Sequence, residues 1–161
     1  MIHIYSGDGH EKLPVALGKA VEAAIAGKQV VIIQFLKGKG LNDSKFLSRL
    51  EPEIKLFRFE KSDEDFESLP EDKKQEEIAN IRNGLNFAKK VLTTGECDLL
   101  ILDEVLGLVE KGIIAACDLQ AILDFREDTD VILTGEKLSD EVCILGDEVS
   151  KIEQVKFKVW E

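Results

Sequence analysis

The chain has 161 residues, 44% of them hydrophobic and 33% charged, a balance typical of a globular protein with a substantial core, and we expect one domain over residues 1–161. Its net charge of -11 argues against binding to nucleic acid or an anionic membrane, because phosphate contacts need a basic patch. The first residues hold no basic segment and no long apolar run, so we expect no signal peptide, no membrane span and a cytoplasmic location.

The N-terminal stretch predicts a strand, a glycine turn and a helix. Ile2 to Tyr5 is short and apolar, Gly7-Asp8-Gly9 is the turn, Lys12 follows, and Val15 to Ala26 has a helical pattern. This is the order of a phosphate-binding loop, in which glycine N–H groups, the helix N-terminus and a lysine surround an anion. An ordinary glycine-rich turn between a strand and a helix is the alternative.

The end of this loop departs from a working phosphate site. The motif requires Gly-Lys-Ser/Thr, whereas this chain has Glu11-Lys12-Leu13. The Glu11 carboxylate falls where phosphates would lie, and Leu13 has no hydroxyl to bind Mg²⁺. Pro14 removes an N–H donor from the helix N-terminus. The sequence therefore predicts a nucleotide-binding fold with an altered phosphate site.

Strands and helices alternate along the rest of the chain. The further predicted strands are Gln29–Phe35, Ile54–Phe59, Asp98–Glu104, Asp130–Thr134 and one or two strands within Glu148–Val155 and Lys156–Trp160. The further predicted helices are Ser44–Leu50, Leu106–Lys111, Asp118–Phe125 with Asp118 as its cap, and one from Ser139 to about Leu145. A long helix is also predicted before Gly95, which ends it, because an apolar stripe is formed by Ile78, Ile81, Leu85, Ala88 and Leu92. The polar segment Glu60–Pro70 is predicted to be a loop.

This alternation predicts an α/β fold with a mostly parallel sheet and helices on both faces. We expect Ile2–Tyr5, Val30–Phe35 and Leu99–Asp103 to be neighbouring central strands. The three cysteines fit no zinc spacing and are predicted to be reduced and buried, and two histidines are too few for a His-rich metal site.

Ligands of such sheets bind at the carboxyl ends of the strands, so the residues there are the candidate site. Asp103 and Glu104 follow an apolar run, as the acid that holds Mg²⁺ or orients water does in nucleotide-binding folds. A carboxylate at the start of a helix is the ordinary alternative. Lys37, with Lys39, can receive a phosphate or can be a solvated loop residue, and His10 is either a base or simply exposed.

Five stretches in order resemble the P-loop corrinoid adenosyltransferases. They are Tyr5-Ser-Gly-Asp-Gly-x-x-Lys12, Ala16-Leu17-Gly18, Val31-Ile-Ile-Gln-Phe-Leu-Lys-Gly38, Cys97-Asp-Leu-Leu-Ile-Leu-Asp-Glu104 and Asp130-Val-Ile-Leu-Thr-Gly135. The resemblance implies a P-loop NTPase (RecA-like) three-layer fold, a homodimer, ATP and Mg²⁺, and a corrinoid substrate. Its reaction moves the 5′-deoxyadenosyl group of ATP to Co(I) of the corrinoid.

The resemblance also assigns residues. It implies phosphate binding by Gly7, Asp8, Gly9 and Lys12, and it places Glu104 at the metal with Asp103 beside it as the other catalytic candidate.

The departures from the family pattern fall at the chemistry. Members typically read Gly-Asp-Gly-Lys-Gly-Lys-Thr-Thr in the first loop, and this chain differs there at His10, Glu11, Leu13 and Pro14. An arginine usual after Leu-Thr-Gly is Glu136 here. Two hypotheses follow: an adenosyltransferase with impaired ATP binding, or a catalytically silent paralogue that binds a corrinoid, another ligand or a protein.

Overall fold

The structure is a computed structural model, and it describes residues 1–7, 12–36 and 48–155, with the side chains of residues 12–14 outside the description. The strands are β1 Ile2–Gly7, β2 Val30–Gln34, β3 Ile54–Arg58, β4 Leu99–Asp103, β5 Asp130–Gly135 and β6 Glu148–Ile152. The α-helices are α1 Lys12–Ile25, α2 Glu71–Thr94, α3 Val105–Glu110, α4 Ala116–Leu123 and α5 Asp140–Cys143, with a short 3-10 helix at Phe66–Ser68.

The strands form one six-stranded sheet in the order β3-β2-β4-β5-β1-β6, and every neighbouring pair is parallel. The predicted parallel α/β architecture is thus confirmed. The expectation that β1 neighbours β2 or β4 is wrong, because β5 lies between β4 and β1. Strands β2, β4 and β5 each contain a run of apolar residues buried on both faces, and apolarity alone does not predict the order of the interior strands.

Alternate residues of the interior strands β2, β4 and β5 enter two separate cores. In β4, Leu100 and Leu102 pack with α2, α3, α4 and α5, whereas Leu99 and Ile101 pack with Ala16 and Ala20 of α1. Period-2 alternation places successive side chains on opposite faces of a sheet, so helices cover both faces as predicted. We call the face of the sheet that packs against α1 the α1 face.

The long helix α2 follows its predicted stripe. Ile81, Leu85, Ala88 and Leu92 are buried, and Gly95 ends the helix at φ 66° with its N–H donating to the Val91 carbonyl at 3.1 Å. A left-handed residue at a helix end favours glycine, which is why the sequence signal was reliable here.

Several predictions about local structure were wrong in detail. Helix α4 begins at Ala116, and Asp118 lies in its first turn and accepts the Ala115 N–H at 3.0 Å instead of capping the helix from outside. The predicted loop before α2 contains the short 3-10 helix. Of the cysteines, Cys97 is buried but Cys117 is exposed. Most of the predicted helix at 44–50 and the strand at 156–160 lie outside the described residues.

Ser139 caps α5 as predicted, since its hydroxyl accepts the Val142 N–H at 3.4 Å. Within the described ranges, none of the helices combines the length and apolarity needed to cross a bilayer.

Candidate functional site

A row of polar side chains lies at the carboxyl ends of four neighbouring strands. The register pairs Gln34 with Arg58 on one side and with Asp103 on the other. Ile101 and Ile132 belong to the α1 face, so Asp103 and Thr134, two residues further along their strands, share that face. We call Arg58, Gln34, Asp103 and Thr134 the carboxyl-edge row. It lies at the edge of the sheet where a phosphate-binding loop would lead from β1 into α1.

Asp103 is held in place by Thr134. The Thr134 hydroxyl donates to Asp103 Oδ1 at 2.7 Å and accepts the Glu104 N–H at 2.8 Å, and both side chains are buried, with exposed fractions of 0% for Thr134 and 1% for Asp103. One hydroxyl therefore orients the carboxylate and also the backbone that follows it. Hydrogen bonds to a charged acceptor are among the stronger ones in proteins.

This fixed carboxylate fits the way proteins bind Mg²⁺. Mg²⁺ keeps several waters and uses one or two carboxylates together with substrate phosphates, so a single oriented aspartate is a sufficient protein anchor. Among the described residues there is no group of three or more His, Cys, Asp or Glu side chains arranged for a metal. The described residues therefore do not form a metal site made of protein ligands alone.

Glu104 takes a different direction from Asp103. It has a left-handed backbone, φ 61°, and directly precedes α3. Its Oε2 lies 3.8 Å from the position that a Cβ on Gly107 would occupy, so its side chain lies beside the first turn of α3. Asp103 is thus the member of the predicted acidic pair that faces α1, and Glu104 lies next to α3.

The predicted phosphate loop is only partly described. Gly7 ends β1, and a Cβ there would lie 2.9 Å from the Ile152 carbonyl oxygen, so the missing side chain permits the close approach of β6. Asp8, Gly9 and Lys37 lie outside the described residues, as do His10 and Glu11. Lys12 is the first residue of α1, with its side chain outside the description.

The backbone of α1 shows the effect of Pro14. The N–H groups in the first turn of a helix have no partner within the helix and are the donors that bind an anion. Pro14 is in this first turn of α1 and has no N–H. The N-terminus of α1 therefore has one donor fewer than a helix without proline.

A second polar cluster, which sequence reasoning missed, lies just past the ends of β2 and β3. Glu60 Oε1 accepts the N–H of Leu36 at 2.7 Å, and Leu36 has a left-handed backbone at φ 51°. The pKa of Glu60 is raised to about 7, mainly by burial; the Leu36 hydrogen bond lowers it, the nearby Glu77 also raises it, and Arg58 lowers it. Glu60 could not be recognised from the sequence, because it belongs to the acidic segment Glu60–Pro70 and a buried carboxylate looks the same there as an exposed one.

Glu77 is buried in α2 and is surrounded by donors. It accepts the N–H groups of Lys61 at 3.1 Å and Ser62 at 3.4 Å, and the side-chain amide of Asn80 at 3.0 Å. It therefore ties the segment after β3 to α2.

A groove of about 410 Å³, lined by His3 and Tyr5 among others, lies at the opposite, amino end of the sheet and is separate from the carboxyl-edge row.

Fold and site together define a class. A parallel six-stranded sheet, helices on both faces and an acidic residue at the carboxyl edge are those of a P-loop NTPase-type α/β protein. A solved structure of a KaiC-like protein from Pyrococcus horikoshii has a similar fold, with a TM-score of 0.56 and 15% identity over 98% of this chain and 74% of that one. This likeness concerns the fold alone.

Sequence comparison places the chain within this class. The profile described as ATP:corrinoid adenosyltransferase BtuR/CobO/CobP matches residues 1–161. The corrinoid adenosyltransferase of Escherichia coli K12 is 27% identical over 157 residues, which cover 97% of this chain and 78% of that protein. Corrinoid adenosyltransferase CobA of Salmonella typhimurium is similar to the same extent, 27% over 157 residues. The chain belongs to the ATP:corrinoid adenosyltransferase family.

Proposed function

We propose that this protein transfers the 5′-deoxyadenosyl group of ATP to Co(I) of a corrinoid, and that its affinity for Mg-ATP is reduced by its altered phosphate loop. The observation that carries the proposal is the buried Asp103–Thr134 hydrogen bond of 2.7 Å at the carboxyl edge of the sheet, on the face of α1. It maintains an oriented carboxylate at the position where this family of folds binds the metal of a nucleotide.

The reaction is an alkyl transfer, and the protein contributes mainly position and charge. The Co(I) electron pair forms a bond to C5′ of the ribose while the bond between C5′ and the phosphate oxygen breaks, and triphosphate leaves with the electron pair of that broken C5′–O bond. When bound, Mg²⁺ would neutralise charge on the leaving triphosphate, and Asp103 would hold it, with Glu104 as the second candidate. Gly7, Asp8, Gly9, Lys12 and Lys37 are the proposed contacts to the phosphates, which they would orient for the transfer.

Three residues of the loop support the reduced affinity. If Glu11 lies about 4 Å from a phosphate, the repulsion at an effective dielectric of about 20 is about 4 kcal/mol per pair of charges. Even about 3 kcal/mol lowers affinity by about two decades. Leu13 has no hydroxyl for Mg²⁺, and Pro14 removes one donor of the first turn of α1.

The proposal is tested by titrating Mg-ATP into the wild type and into the fourfold variant His10→Lys, Glu11→Gly, Leu13→Thr, Pro14→Thr. We expect weak or undetectable binding by the wild type and a gain of at least about tenfold in the variant. Adding Lys12→Ala to the fourfold variant is the matched control, and it should remove the gain. Micromolar binding by the wild type would refute the reduced affinity, and a folded fourfold variant without any gain would refute the role of the loop.

A silent binding paralogue is the second candidate, and the Glu11, Leu13 and Pro14 changes favour it. An assay with reduced cobalamin separates the two, because an enzyme forms a cobalt–carbon bond and releases triphosphate when ATP is present. A paralogue binds the corrinoid without either product. The assay belongs on both the wild type and the fourfold variant, and product from neither would favour the paralogue.

We also propose a homodimer, which the family resemblance supports. Val15, Val21 and Ile25 of α1 are exposed apolar residues on one side of that helix. Light scattering coupled to gel filtration distinguishes a dimer from a monomer of 18.0 kDa.

A further inference from the structure

Gln34 is a buried amide that has no hydrogen-bond partner in the part of the chain that the structure describes. It ends β2, whose preceding residues Val30 to Ile33 are all apolar, and only 2% of it is exposed. Among the described residues, neither its Oε1 nor its Nε2 has a hydrogen-bond partner. A buried polar group without a hydrogen bond destabilises the fold, so an amide at this position calls for a compensating role.

The neighbours of Gln34 place it in the carboxyl-edge row. It is in register with Asp103 on β4 and with Arg58 on β3, and parallel strands lie about 4.8 Å apart. Arg58 donates from Nη2 to the Ser62 carbonyl at 2.8 Å, and its Nη1 lies 3.9 Å from Asp63, but its buried Nε has no partner in the described part of the chain. Within the described residues, the donor atoms Gln34 Nε2 and Arg58 Nε and the acceptor Gln34 Oε1 therefore form no hydrogen bond.

The chemistry of these atoms restricts the ligand. Gln34 Nε2 and Arg58 Nε are donors, and they suit an oxygen-rich anion, whereas Gln34 Oε1 is an acceptor and suits a bound water or a hydroxyl. A triphosphate with a hydrated Mg²⁺ supplies both kinds of group, and Asp103 beside Gln34 is the proposed anchor of that metal. An apolar ligand would leave all three atoms unpaired.

We infer that the Gln34 amide is a direct contact to the Mg-triphosphate part of the nucleotide, donating to a phosphate oxygen and accepting from a metal-bound water. The inference rests on the proposed function and deepens it by adding a residue that the phosphate-loop motif does not contain. In this role the amide, which has no partner among the described residues, forms its hydrogen bonds when the nucleotide binds.

If Gln34 binds the nucleotide, removing its amide should weaken Mg-ATP binding without lowering the stability of the ligand-free protein. If the amide were structural, its removal would lower that stability. Gln34→Met keeps the size of the side chain and removes both polar atoms. We expect the melting temperature of the ligand-free variant to equal that of the wild type or to rise by roughly 2–4 °C, the shift expected for about 1 kcal/mol in a protein of this size. Gln75→Met is the matched control, because Gln75 is exposed on α2 and bonds Glu71 at 3.0 Å.

The binding arm uses the fourfold variant, with and without Gln34→Met, titrated with Mg-ATP. We expect the added substitution to weaken binding at least about tenfold, as loss of a hydrogen bond to a charged group does. A melting temperature of Gln34→Met clearly below that of the Gln75→Met control would show a structural amide and overturn the inference.

The two proposals fail in different ways. If Mg-ATP binds the fourfold variant and Gln34→Met leaves its affinity unchanged, the role of Gln34 is refuted and the proposed function stands. If neither the wild type nor the fourfold variant binds Mg-ATP, the proposed function is refuted and the assignment of Gln34 with it.

Discussion

At the scale of single residues, the Thr134 hydroxyl connects two strand ends, since it donates to Asp103 and accepts from the backbone of Glu104. We predict that Thr134→Val lowers the free energy of unfolding by about 1–3 kcal/mol, because it removes the hydrogen bonds that the buried Asp103 carboxylate and the part-buried Glu104 N–H make to the Thr134 hydroxyl. Thr134→Ser keeps the hydroxyl and is the control, with a smaller loss from the missing methyl group. Chemical denaturation measures both, and equal stability of the valine variant and the wild type would contradict the prediction.

Glu60 makes stability depend on pH in a defined window. Its pKa is raised by burial from an ordinary value of 4.5 to about 7 in the folded protein. Between these values the folded state holds a proton that the unfolded state has released, so rising pH destabilises the fold by up to about 1.4 kcal/mol per pH unit. The stability that the protonated Glu60 contributes is fully present below about pH 4.5 and is lost above about pH 7.

We predict that Glu60→Gln reduces this slope, because glutamine keeps an acceptor for the Leu36 N–H and does not titrate. Urea denaturation of wild type and variant at several pH values between 4.5 and 7 checks it. Glu64→Gln, at an exposed position three residues before Glu67, is the control and should keep the wild-type slope. Parallel stability curves for the wild type and Glu60→Gln would show that Glu60 titrates normally.

At the scale of elements, the contact between β5 and α3 depends on a glycine. A Cβ on Gly135 would overlap the Cβ of Leu106, which is buried in the core beneath α3. We predict that Gly135→Ala lowers the free energy of unfolding by about 2–3 kcal/mol through overpacking.

Gly18 provides the matched control for that substitution. It lies in α1, is exposed, and a Cβ there would meet nothing within 4 Å. Gly18→Ala should raise stability by up to about 1 kcal/mol, because alanine is the better helix former. Thermal melting compares the two, and equal effects would contradict the packing argument.

At the scale of the whole molecule, ligand binding should register as a change in stability. A ligand that binds only the folded state raises stability according to its concentration relative to its dissociation constant. We predict that millimolar Mg²⁺, with or without ATP, changes the melting temperature of the wild type little, and that Mg-ATP raises it in the fourfold variant. A large rise in the wild type would show that the phosphate loop binds nucleotide despite Glu11, Leu13 and Pro14.

The sequence by itself determined the class of fold and the family. Runs such as Val30–Ile33 and Leu99–Leu102 are apolar at every position, which is typical of a strand buried on both faces, and their alternation with helical segments predicted the parallel α/β sheet. Gly95 and Ser139 marked helix ends because their roles depend on local backbone geometry. The Asp103-Glu104 pair was visible because it stands at the carboxyl end of an apolar strand run, with Asp103 as the last residue of β4.

The tertiary structure alone decided which strands are neighbours and which polar side chains meet. Strand order and register depend on contacts between residues far apart in the chain, so no local pattern placed β5 beside β1 or Gln34 between Arg58 and Asp103. The same holds for Glu60, whose pKa depends on its burial and on Leu36, Glu77 and Arg58. A polar residue's chemistry is set by its surroundings, and these surroundings form only when distant segments pack together.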